Sequence, residues 1–287
     1  MKMTAILVSG VRGKTGRQLC AALLHRKGVE VLGAARSLAG PSVPGVTLRH
    51  FDWQNPKTWP KALAGIEAIY LLRPKTNDPA GTIASLLQSA DKLKRVVLLS
   101  EVDAENRSEE TEERKAETVI KSSALDWTIL RPNWFMQNFT EPSYYLEAIR
   151  DAGELKVPTG GQPTSFVDTR DIADVATAAL LDHGHSARCY TLTGPQALTW
   201  ADAAEMIGRT AGHPVRYIDP PLEDHLAALA SNGTPKATID YLGRIYGCIR
   251  NAGTAIISGD VQQVTGHPPR RFSDFVEENK KLWRRAG

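Results

Sequence analysis

Three glycines near the N-terminus have a spacing that binds phosphate groups in many proteins. Gly10, Gly13 and Gly16 follow the apolar run AILVS, and a segment with helical spacing of apolar residues comes directly after them. Glycine permits a tight turn, lets the backbone approach a pyrophosphate, and allows a helix to pack closely on a strand. The following helix would present free N–H groups and a positive dipole end. The loop therefore predicts a dinucleotide site, and a plain turn is the alternative.

Basic residues near this loop indicate which dinucleotide would bind. The second predicted strand, VEVLGAA, is followed by Arg36 and Ser37, where NAD-binding proteins usually carry an acidic residue for the ribose 2′-hydroxyl. Arg36 could bind a 2′-phosphate, and Arg12 and Lys14 add positive charge, so we predict NADPH/NADP+ as the cofactor. The alternative is that these cations only face solvent. Asp52, after the third predicted strand, could hydrogen-bond the adenine amino group or cap a helix.

Short apolar runs alternate with helical patterns over the first half of the chain. The predicted strands are AILVS, VEVLGAA, VTLRHF, IEAIYLL, RVVLLS and WTIL. Strands alternating with helices of about 10–15 residues imply βαβ units and a parallel sheet. We predict an α/β fold, a Rossmann-type doubly wound parallel sheet with a smaller mixed α/β C-terminal substrate lobe. Residues 1–150 form the predicted dinucleotide-binding domain, residues of about 165–195 return to it, and residues 151–287 form the mainly helical lobe.

The composition argues against several classes of protein. The 35 Lys and Arg against 32 Asp and Glu leave a net charge of +3, which does not predict a nucleic-acid or membrane partner. Three cysteines without CxxC spacing fit a reducing compartment, and the first residues do not resemble a signal peptide, so we expect a cytoplasmic protein. His183 and His185 have no third ligand at a suitable spacing, so no metal site is predicted.

The proton relay of typical short-chain dehydrogenases is missing. That relay pairs a tyrosine with a lysine four residues later, and none of the 7 tyrosines has such a lysine. Ser100 ends the fifth predicted strand and could hydrogen-bond substrate or cofactor, or merely cap the strand.

Five segments together resemble one family over nearly the whole chain. They are GVRGKTGRQL, VVLLS, DWTILRPNWFMQNF, TSFVDTRDIADVA and GHPPRRFSDFVEENK. They are similar to the atypical short-chain, NmrA-like reductases, especially the ergot-alkaloid branch that includes festuclavine dehydrogenase. The resemblance implies a Rossmann domain, a substrate lobe and bound NADPH. The cofactor contacts that it implies are Ser9, Gly10, Arg12, Gly13, Lys14, Thr15, Arg36, Ser37, Leu72, Arg73, Pro74, Ser100, Pro132, Asn133, Trp134 and Phe135.

The resemblance also implies a chemistry that needs no relay. Ergot-type members reduce carbon–nitrogen double bonds, and an iminium ion is already cationic, so it can accept hydride without a dedicated acid. Some NmrA-like reductases place a lysine ahead of the sixth strand, and Lys115 is the candidate here for orienting a ribose hydroxyl or protonating an oxygen. Ser100 and Lys115 are thus the predicted catalytic residues, although the charged run EETEERKAE around Lys115 also fits a solvated helix face. The predicted apolar substrate pocket, for which core packing is the alternative, comprises Phe135, Met136, Phe139, Tyr144 and Tyr145.

We therefore expect an oxidoreductase that uses NADPH to reduce a small or medium organic substrate at an imine or iminium bond. A quinone or enone reductase is one alternative. A non-catalytic regulator that senses NADP(H) is another. The expected partner is a small-molecule substrate, and the expected assembly is a monomer or a homodimer.

Overall fold

The computed structural model describes residues 3–41 and 43–285. Within them the strands are β1 (Thr4–Val8), β2 (Val29–Ala35), β3 (Thr47–His50), β4 (Ala68–Leu72), β5 (Arg95–Leu99), β6 (Asp126–Pro132), β7 (Glu154–Lys156), β8 (Arg188–Leu192) and β9 (Arg216–Ile218). The α-helices are α1 (Lys14–Leu24), α2 (Trp59–Leu63), α3 (Pro79–Gln88), α4 (Glu112–Lys121), α5 (Thr169–Leu181), α6 (Trp200–Ala211), α7 (Leu222–Ser231), α8 (Lys236–Arg250), α9 (Asp260–Thr265) and α10 (Phe272–Trp283). None of these helices combines the length and apolar composition that crossing a bilayer requires.

The chain divides into two compact units. The first comprises the described residues of Met1–Pro132 together with Thr169–Leu192 and Asp260–His267. The second comprises Asn133–Asp168, Thr193–Gly259 and the described residues of Pro268–Gly287. The first segment of the first unit thus ends at Pro132, whereas the sequence predicts a boundary at residue 150.

Two later segments belong to the first unit. One, Thr169–Leu192, lies inside the predicted return at about 165–195. The other, Asp260–His267, was not predicted, and it belongs to the first unit because α9 packs against α5 and β8.

The first unit is built on a parallel sheet of seven strands in the order β3-β2-β1-β4-β5-β6-β8. The prediction of a Rossmann-type doubly wound sheet is confirmed. The strand order reverses between β1 and β4, where Ile6 of β1 lies opposite Val31 on one side and Ala68 on the other. In open α/β sheets, ligands bind outside the carboxyl ends of the strands at such a reversal. The residues after Val8 and Leu72 therefore border the expected binding crevice.

Helices cover both faces of this sheet. Helices α1 and α5 pack against each other and against the strands, and α4 packs against β5 and β6. The apolar residues of β1, β4 and β5 are buried, apart from the half-buried Leu72 and Leu99 at the strand ends. Both faces of these strands are covered, which explains their uninterrupted apolar runs.

The second unit has an aromatic core and a small sheet. Strands β7 and β9 pair in parallel, and α6, α7, α8 and α10 supply most of the remaining regular structure. Trp200, at the start of α6, is fully buried, and its indole N–H donates to Thr164 Oγ1 at 3.0 Å. Thr199 caps α6 through reciprocal hydrogen bonds with Asp202, which fixes the helix start that carries Trp200.

Candidate functional site

The glycine loop between β1 and α1 depends on small residues at two positions. Gly10 has a φ of +62°, and a Cβ atom there would lie 2.2 Å from Leu72 Cδ1. A Cβ atom on Gly16 would lie 2.2 Å from the carbonyl oxygen of Gly10. Gly13 closes the turn by donating its N–H to that same carbonyl oxygen at 2.8 Å. The loop is therefore tight enough that its backbone, rather than side chains, lines the reversal point of the sheet.

Ser9 holds this loop to the end of β4. Its side chain is buried, and its Oγ accepts the backbone N–H of Leu72 at 2.8 Å. Its own N–H donates to the carbonyl oxygen of Tyr70 at 3.0 Å. Ser9 thus joins the two strand ends that border the crevice, so its side chain positions the loop.

The N-terminus of α1 can accept an anion. Gly13 is the N-cap residue, it supplies no side-chain cap, and the first turn contains no acidic residue. The first N–H groups of a helix lack intrahelical partners, and the helix dipole adds positive potential there. Lys14, at the first helical position, is half-buried. This helix end therefore has the properties of a pyrophosphate site.

Arg12 reaches from the loop to the segment after β2. Its Nη1 donates to the carbonyl oxygen of Ser37 at 2.9 Å, and its Nε donates to that of Pro41 at 3.1 Å. Its Nη2 is inaccessible to solvent and has no hydrogen-bond partner among the described residues. A buried donor without a partner is unfavourable, and an anionic oxygen would satisfy it. Arg36, which directly precedes Ser37, is exposed. The guanidinium groups of Arg12 and Arg36 thus mark the predicted 2′-phosphate region.

Asp52 closes a local turn. Its Oδ1 accepts the backbone N–H of Gln54 at 3.0 Å, and its carbonyl oxygen accepts the indole N–H of Trp59 at 2.9 Å. A 3-10 helix, Pro56–Thr58, precedes α2, and the N-cap residues of these two helices are Asn55 and Thr58. The predicted helix-capping role of Asp52 is therefore not observed. Its contact with adenine stays a prediction.

The segment after β4 carries an ion-pair network. Arg73 pairs with Glu113 at 2.9 Å and with Glu101 at 3.4 Å. Arg107 pairs with Glu101 and with Asp103, both at 2.9 Å. The guanidinium of Arg73 therefore ties the end of β4 to the segment after β5. Any cofactor contact from Leu72 or Pro74 stays a prediction.

The end of β5 holds a second network, which was not among the predictions from the sequence. Ser100 Oγ donates to Glu117 Oε1 at 2.7 Å, and Arg131 donates to both oxygens of Glu117, from Nε at 3.0 Å and from Nη2 at 2.7 Å. Burial would raise the pKa of Glu117, but hydrogen bonds from Arg131 and Ser100, and the charges of Arg131 and Lys121, lower it below its usual value. The carboxylate is therefore ionised.

A signal for this pair was present in the sequence. Arg131 directly follows the apolar residues Ile129 and Leu130 of β6. Glu117 lies on the same helix face as Ala116 and Ile120, which are buried. A charged residue within a buried strand requires a partner, because an unpaired charge is costly to bury.

Lys115 lies apart from these networks. Its side chain is 41% exposed and pairs with Glu110 at 3.3 Å and with Glu112 at 3.7 Å. The hydrogen bond with Glu110 raises the pKa of Lys115, so the amine keeps its proton. This geometry fits the alternative of a solvated helix face.

Asn133, a predicted cofactor residue, is engaged inside the second unit. Its Nδ2 donates to Ser165 Oγ at 2.7 Å and to the carbonyl oxygen of Thr254 at 2.8 Å. Its Oδ1 accepts the backbone N–H of Trp134 at 2.8 Å. All of its side-chain heteroatoms are thus used to join three distant segments of this unit.

The predicted substrate-pocket residues divide into buried and accessible ones. Met136 and Phe139 are 0% exposed, and the ring of Phe139 lies 5.2 Å from that of Phe166 between centroids. Core packing, the alternative to a pocket, describes these two residues. Phe135 and Tyr145 are half-buried, and Tyr144 is 51% exposed. Only the last three present surface to a ligand.

A histidine and two aspartates meet in the first unit, although the sequence predicted no metal site. Ligand atoms of Asp171, Asp174 and His267 all lie within 4.8 Å of one another. His267 Nε2 lies 3.4 Å from Asp174 Oδ2, which is ion-pair geometry.

The first unit as a whole fits a 2′-phosphorylated dinucleotide. The loop around Gly10 and Gly16 is too tightly packed to admit a Cβ atom, so its backbone can approach a ligand closely. The N-terminus of α1 suits a pyrophosphate, and Arg12 has a buried donor with no partner among the described residues. Such a dinucleotide would bind at the carboxyl ends of β1 and β2.

Comparisons with known proteins agree with this geometry. A family model described as NAD(P)H-binding matches residues 10–183. The chain is 32% identical over 282 residues to an NAD(P)H azoreductase of Xenophilus azovorans, covering 95% of this chain and 96% of the relative. It is 31% identical over 291 residues to festuclavine synthase II of Penicillium roqueforti, covering 97% and 99%. A crystal structure of an NADPH-dependent quinone oxidoreductase from Escherichia coli in complex with NADPH shares the fold, with a TM-score of 0.81, 21% identity and coverage of 95% and 99%.

Proposed function

Because the chain belongs to the NAD(P)H-binding family of oxidoreductases, we propose that it uses NADPH to reduce the C=N bond of a small or medium-sized iminium substrate. The family match confirms the prediction of an NAD(P)H-binding oxidoreductase, and the relatives confirm the resemblance to the ergot-alkaloid reductases. The chain is thus an NAD(P)H-dependent reductase. The preference for NADPH and the C=N acceptor are the parts that we propose.

The preference for NADPH rests on Arg12. Its guanidinium is already fixed by the carbonyl oxygens of Ser37 and Pro41, and its remaining nitrogen lacks a partner within the described part of the chain. A 2′-phosphate oxygen would satisfy that nitrogen with a charge-assisted hydrogen bond, whereas a 2′-hydroxyl would offer a weaker one. Arg36 would add a second positive charge.

The proposal that the substrate accepts hydride at a C=N bond rests on the absence of an available acid. No tyrosine has a lysine four residues later, and the Ser100 proton is donated to Glu117. Neither group is therefore available as the acid that a carbonyl substrate would need. An iminium carbon accepts hydride without an acid, because the positive charge is already present.

In this function the side chains and backbone of the protein bind and orient the cofactor and the substrate. NADPH, when bound, supplies the hydride. The loop from Gly10 to Gly16 and the N-terminus of α1 would hold the pyrophosphate, and Arg12 and Arg36 would hold the 2′-phosphate. Phe135, Tyr144 and Tyr145 would present aromatic surface to a cationic substrate, which cation–π attraction favours.

The test is a comparison of acceptors. The purified full-length protein is mixed with NADPH and, separately, with a cyclic iminium, a quinone and an enone, and the absorbance of reduced nicotinamide is followed. We expect the iminium to be reduced at the highest kcat/KM. Faster reduction of the quinone or the enone would support the alternative enzyme. Tight NADPH binding without turnover of any acceptor would support a regulator.

A further inference from the structure

The hydroxyl of Ser100 is oriented by a buried carboxylate. Ser100 follows β5 directly, and its side chain is half-buried at the carboxyl edge of the sheet. Its backbone N–H donates to the carbonyl oxygen of Leu130 at 2.7 Å, which fixes the main chain. Its Oγ lies 2.7 Å from Glu117 Oε1, and Glu117 is 0% exposed.

The direction of that hydrogen bond follows from the partners of Glu117. Arg131 donates to both carboxylate oxygens, and Lys121 Nζ lies 3.3 Å from Oε2. Two cationic groups around one buried carboxyl keep it ionised, and an ionised carboxylate only accepts hydrogen bonds. The proton between Ser100 and Glu117 is therefore the serine's own.

A serine hydroxyl has a single proton and two lone pairs. Since the proton of Ser100 is donated to Glu117, only lone pairs remain for a ligand. We propose that Ser100 acts toward the bound cofactor solely as a hydrogen-bond acceptor, and that Glu117, held by Arg131, is the positioning residue that sets this direction. The inference rests on the proposed function in that the ligand is NADPH.

This direction determines which groups Ser100 recognises. It selects an N–H or O–H donor, and NADPH carries both kinds, in the nicotinamide carboxamide and in the ribose hydroxyls. It also excludes the role of a serine that donates to a developing oxyanion. The residue would therefore contribute to cofactor affinity and not to the hydride-transfer step.

The test measures the Kd of NADPH by quenching of tryptophan fluorescence, without substrate. We expect Ser100→Ala to raise the Kd about 3- to 10-fold, the effect of losing one hydrogen bond. Ser100→Thr, which keeps the hydroxyl, should restore the affinity. Ser123→Ala is the matched control, because that hydroxyl donates to the carbonyl oxygen of Ile120 at the end of α4. An unchanged Kd for Ser100→Ala would overturn the proposal.

A double-mutant cycle tests Glu117. We expect Glu117→Gln to raise the Kd in the wild-type background and to have no further effect in the Ser100→Ala background. If the factors by which the two substitutions raise the Kd multiply in the double variant, Glu117 acts independently of Ser100, and its assigned role would be overturned. If Glu117→Gln does not fold, the comparison of Ser100→Ala with Ser100→Thr still decides whether the hydroxyl binds the cofactor.

Two further measurements separate the remaining possibilities. In single turnovers with saturating NADPH and a cyclic iminium, a loss of the hydride-transfer rate above about 10-fold in Ser100→Ala would mean that Ser100 donates to the reacting atoms, and would overturn the proposal. We expect a smaller loss. The reduced 3-acetylpyridine analogue of NADPH has a methyl ketone instead of the carboxamide. If Ser100→Ala weakens the binding of NADPH but not that of the analogue, the carboxamide is the group that donates to Ser100. If it weakens the binding of both dinucleotides, a ribose hydroxyl is the donor.

Failure of the proposed function would look different. A wild-type protein that binds no NADPH would overturn both the proposed function and the assigned role of Ser100. Binding that depends on Ser100, with no reduction of an iminium, would overturn the C=N acceptor alone.

Discussion

Arg12 Nη1 donates a hydrogen bond of 2.9 Å to the carbonyl oxygen of Ser37. This contact joins the glycine loop after β1, the expected pyrophosphate site, to the segment after β2, the expected 2′-phosphate site. The two parts of the expected dinucleotide site are therefore held together by a direct hydrogen bond. It also holds the guanidinium in place before any ligand arrives, which reduces the entropy lost on binding.

Arg12→Ala should therefore discriminate between the two nicotinamide cofactors. Loss of a charge-assisted hydrogen bond of about 1.5–3 kcal/mol should raise the Kd of NADPH roughly 10- to 150-fold and leave that of NADH nearly unchanged. Isothermal titration calorimetry with both dinucleotides measures this. Arg26→Ala, which removes an exposed pair with Asp182, is the control. Equal losses for NADPH and NADH would contradict the assignment of Arg12 to the 2′-phosphate.

Gly16→Ala should disrupt the loop. The new Cβ would lie 2.2 Å from the carbonyl oxygen of Gly10, so the backbone must shift. We expect a stability loss of roughly 1–3 kcal/mol in urea unfolding and a clear loss of NADPH affinity. Gly247→Ala in α8 is the matched control, since nothing lies within 4 Å of its Cβ position, and alanine should stabilise that helix by up to about 1 kcal/mol. A Gly16→Ala protein that binds NADPH normally would refute the close-packed loop.

Glu117 should make the stability depend on acid pH. Its pKa is lowered in the folded protein, so its contribution is fully present above its usual value of about 4.5 and is lost as the pH falls through the lower folded value. The free energy of unfolding should therefore fall below about pH 4.5. Urea unfolding across this range measures the effect. Glu117→Gln should flatten this dependence and lower stability at neutral pH by up to roughly 3–5 kcal/mol, and an unchanged slope would be inconsistent with the ionised buried pair.

Asn133→Ala should destabilise the second unit. The substitution removes the acceptor of the Trp134 backbone N–H, and a buried polar group left unsatisfied costs about 1–3 kcal/mol. It also removes one hydrogen bond each from Ser165 Oγ and the Thr254 carbonyl oxygen, which keep their hydrogen bonds to other groups. We expect a lower Tm by thermal unfolding, whereas Asn232→Ala, at an exposed position after α7, should leave the Tm nearly unchanged. If Asn133→Ala weakens NADPH binding at an unaltered Tm, then the cofactor role predicted from the sequence is the correct one.

The parts of the molecule that the sequence predicts well are local ones. The strand, the glycine loop and the helix around Gly13 follow one another within about twenty residues, so apolar periodicity and glycine spacing suffice. The parallel sheet follows from the regular alternation of such units.

The parts that were missed depend on contacts between distant residues. Glu117 and Arg131 lie on different elements, and their pairing is a property of how α4 packs on β6. Phe139 is buried because Phe166, Trp200 and Phe272 surround it, and these come from three separate segments. An aromatic residue near a predicted cofactor segment looks the same in sequence whether it lines a pocket or fills a core. Likewise, no local pattern places α9 in the first unit.

The chain passes from one unit to the other at five peptide bonds, after Pro132, Asp168, Leu192, Gly259 and His267. Neither unit can therefore be excised as a continuous fragment. A chain ending at Pro132 would lack α5, the partner of α1, and β8, the strand that pairs with β6. Exchanging the second unit by recombination would require three separate segments to be replaced together. We therefore expect this unit, the predicted substrate lobe, to change mainly through point substitutions.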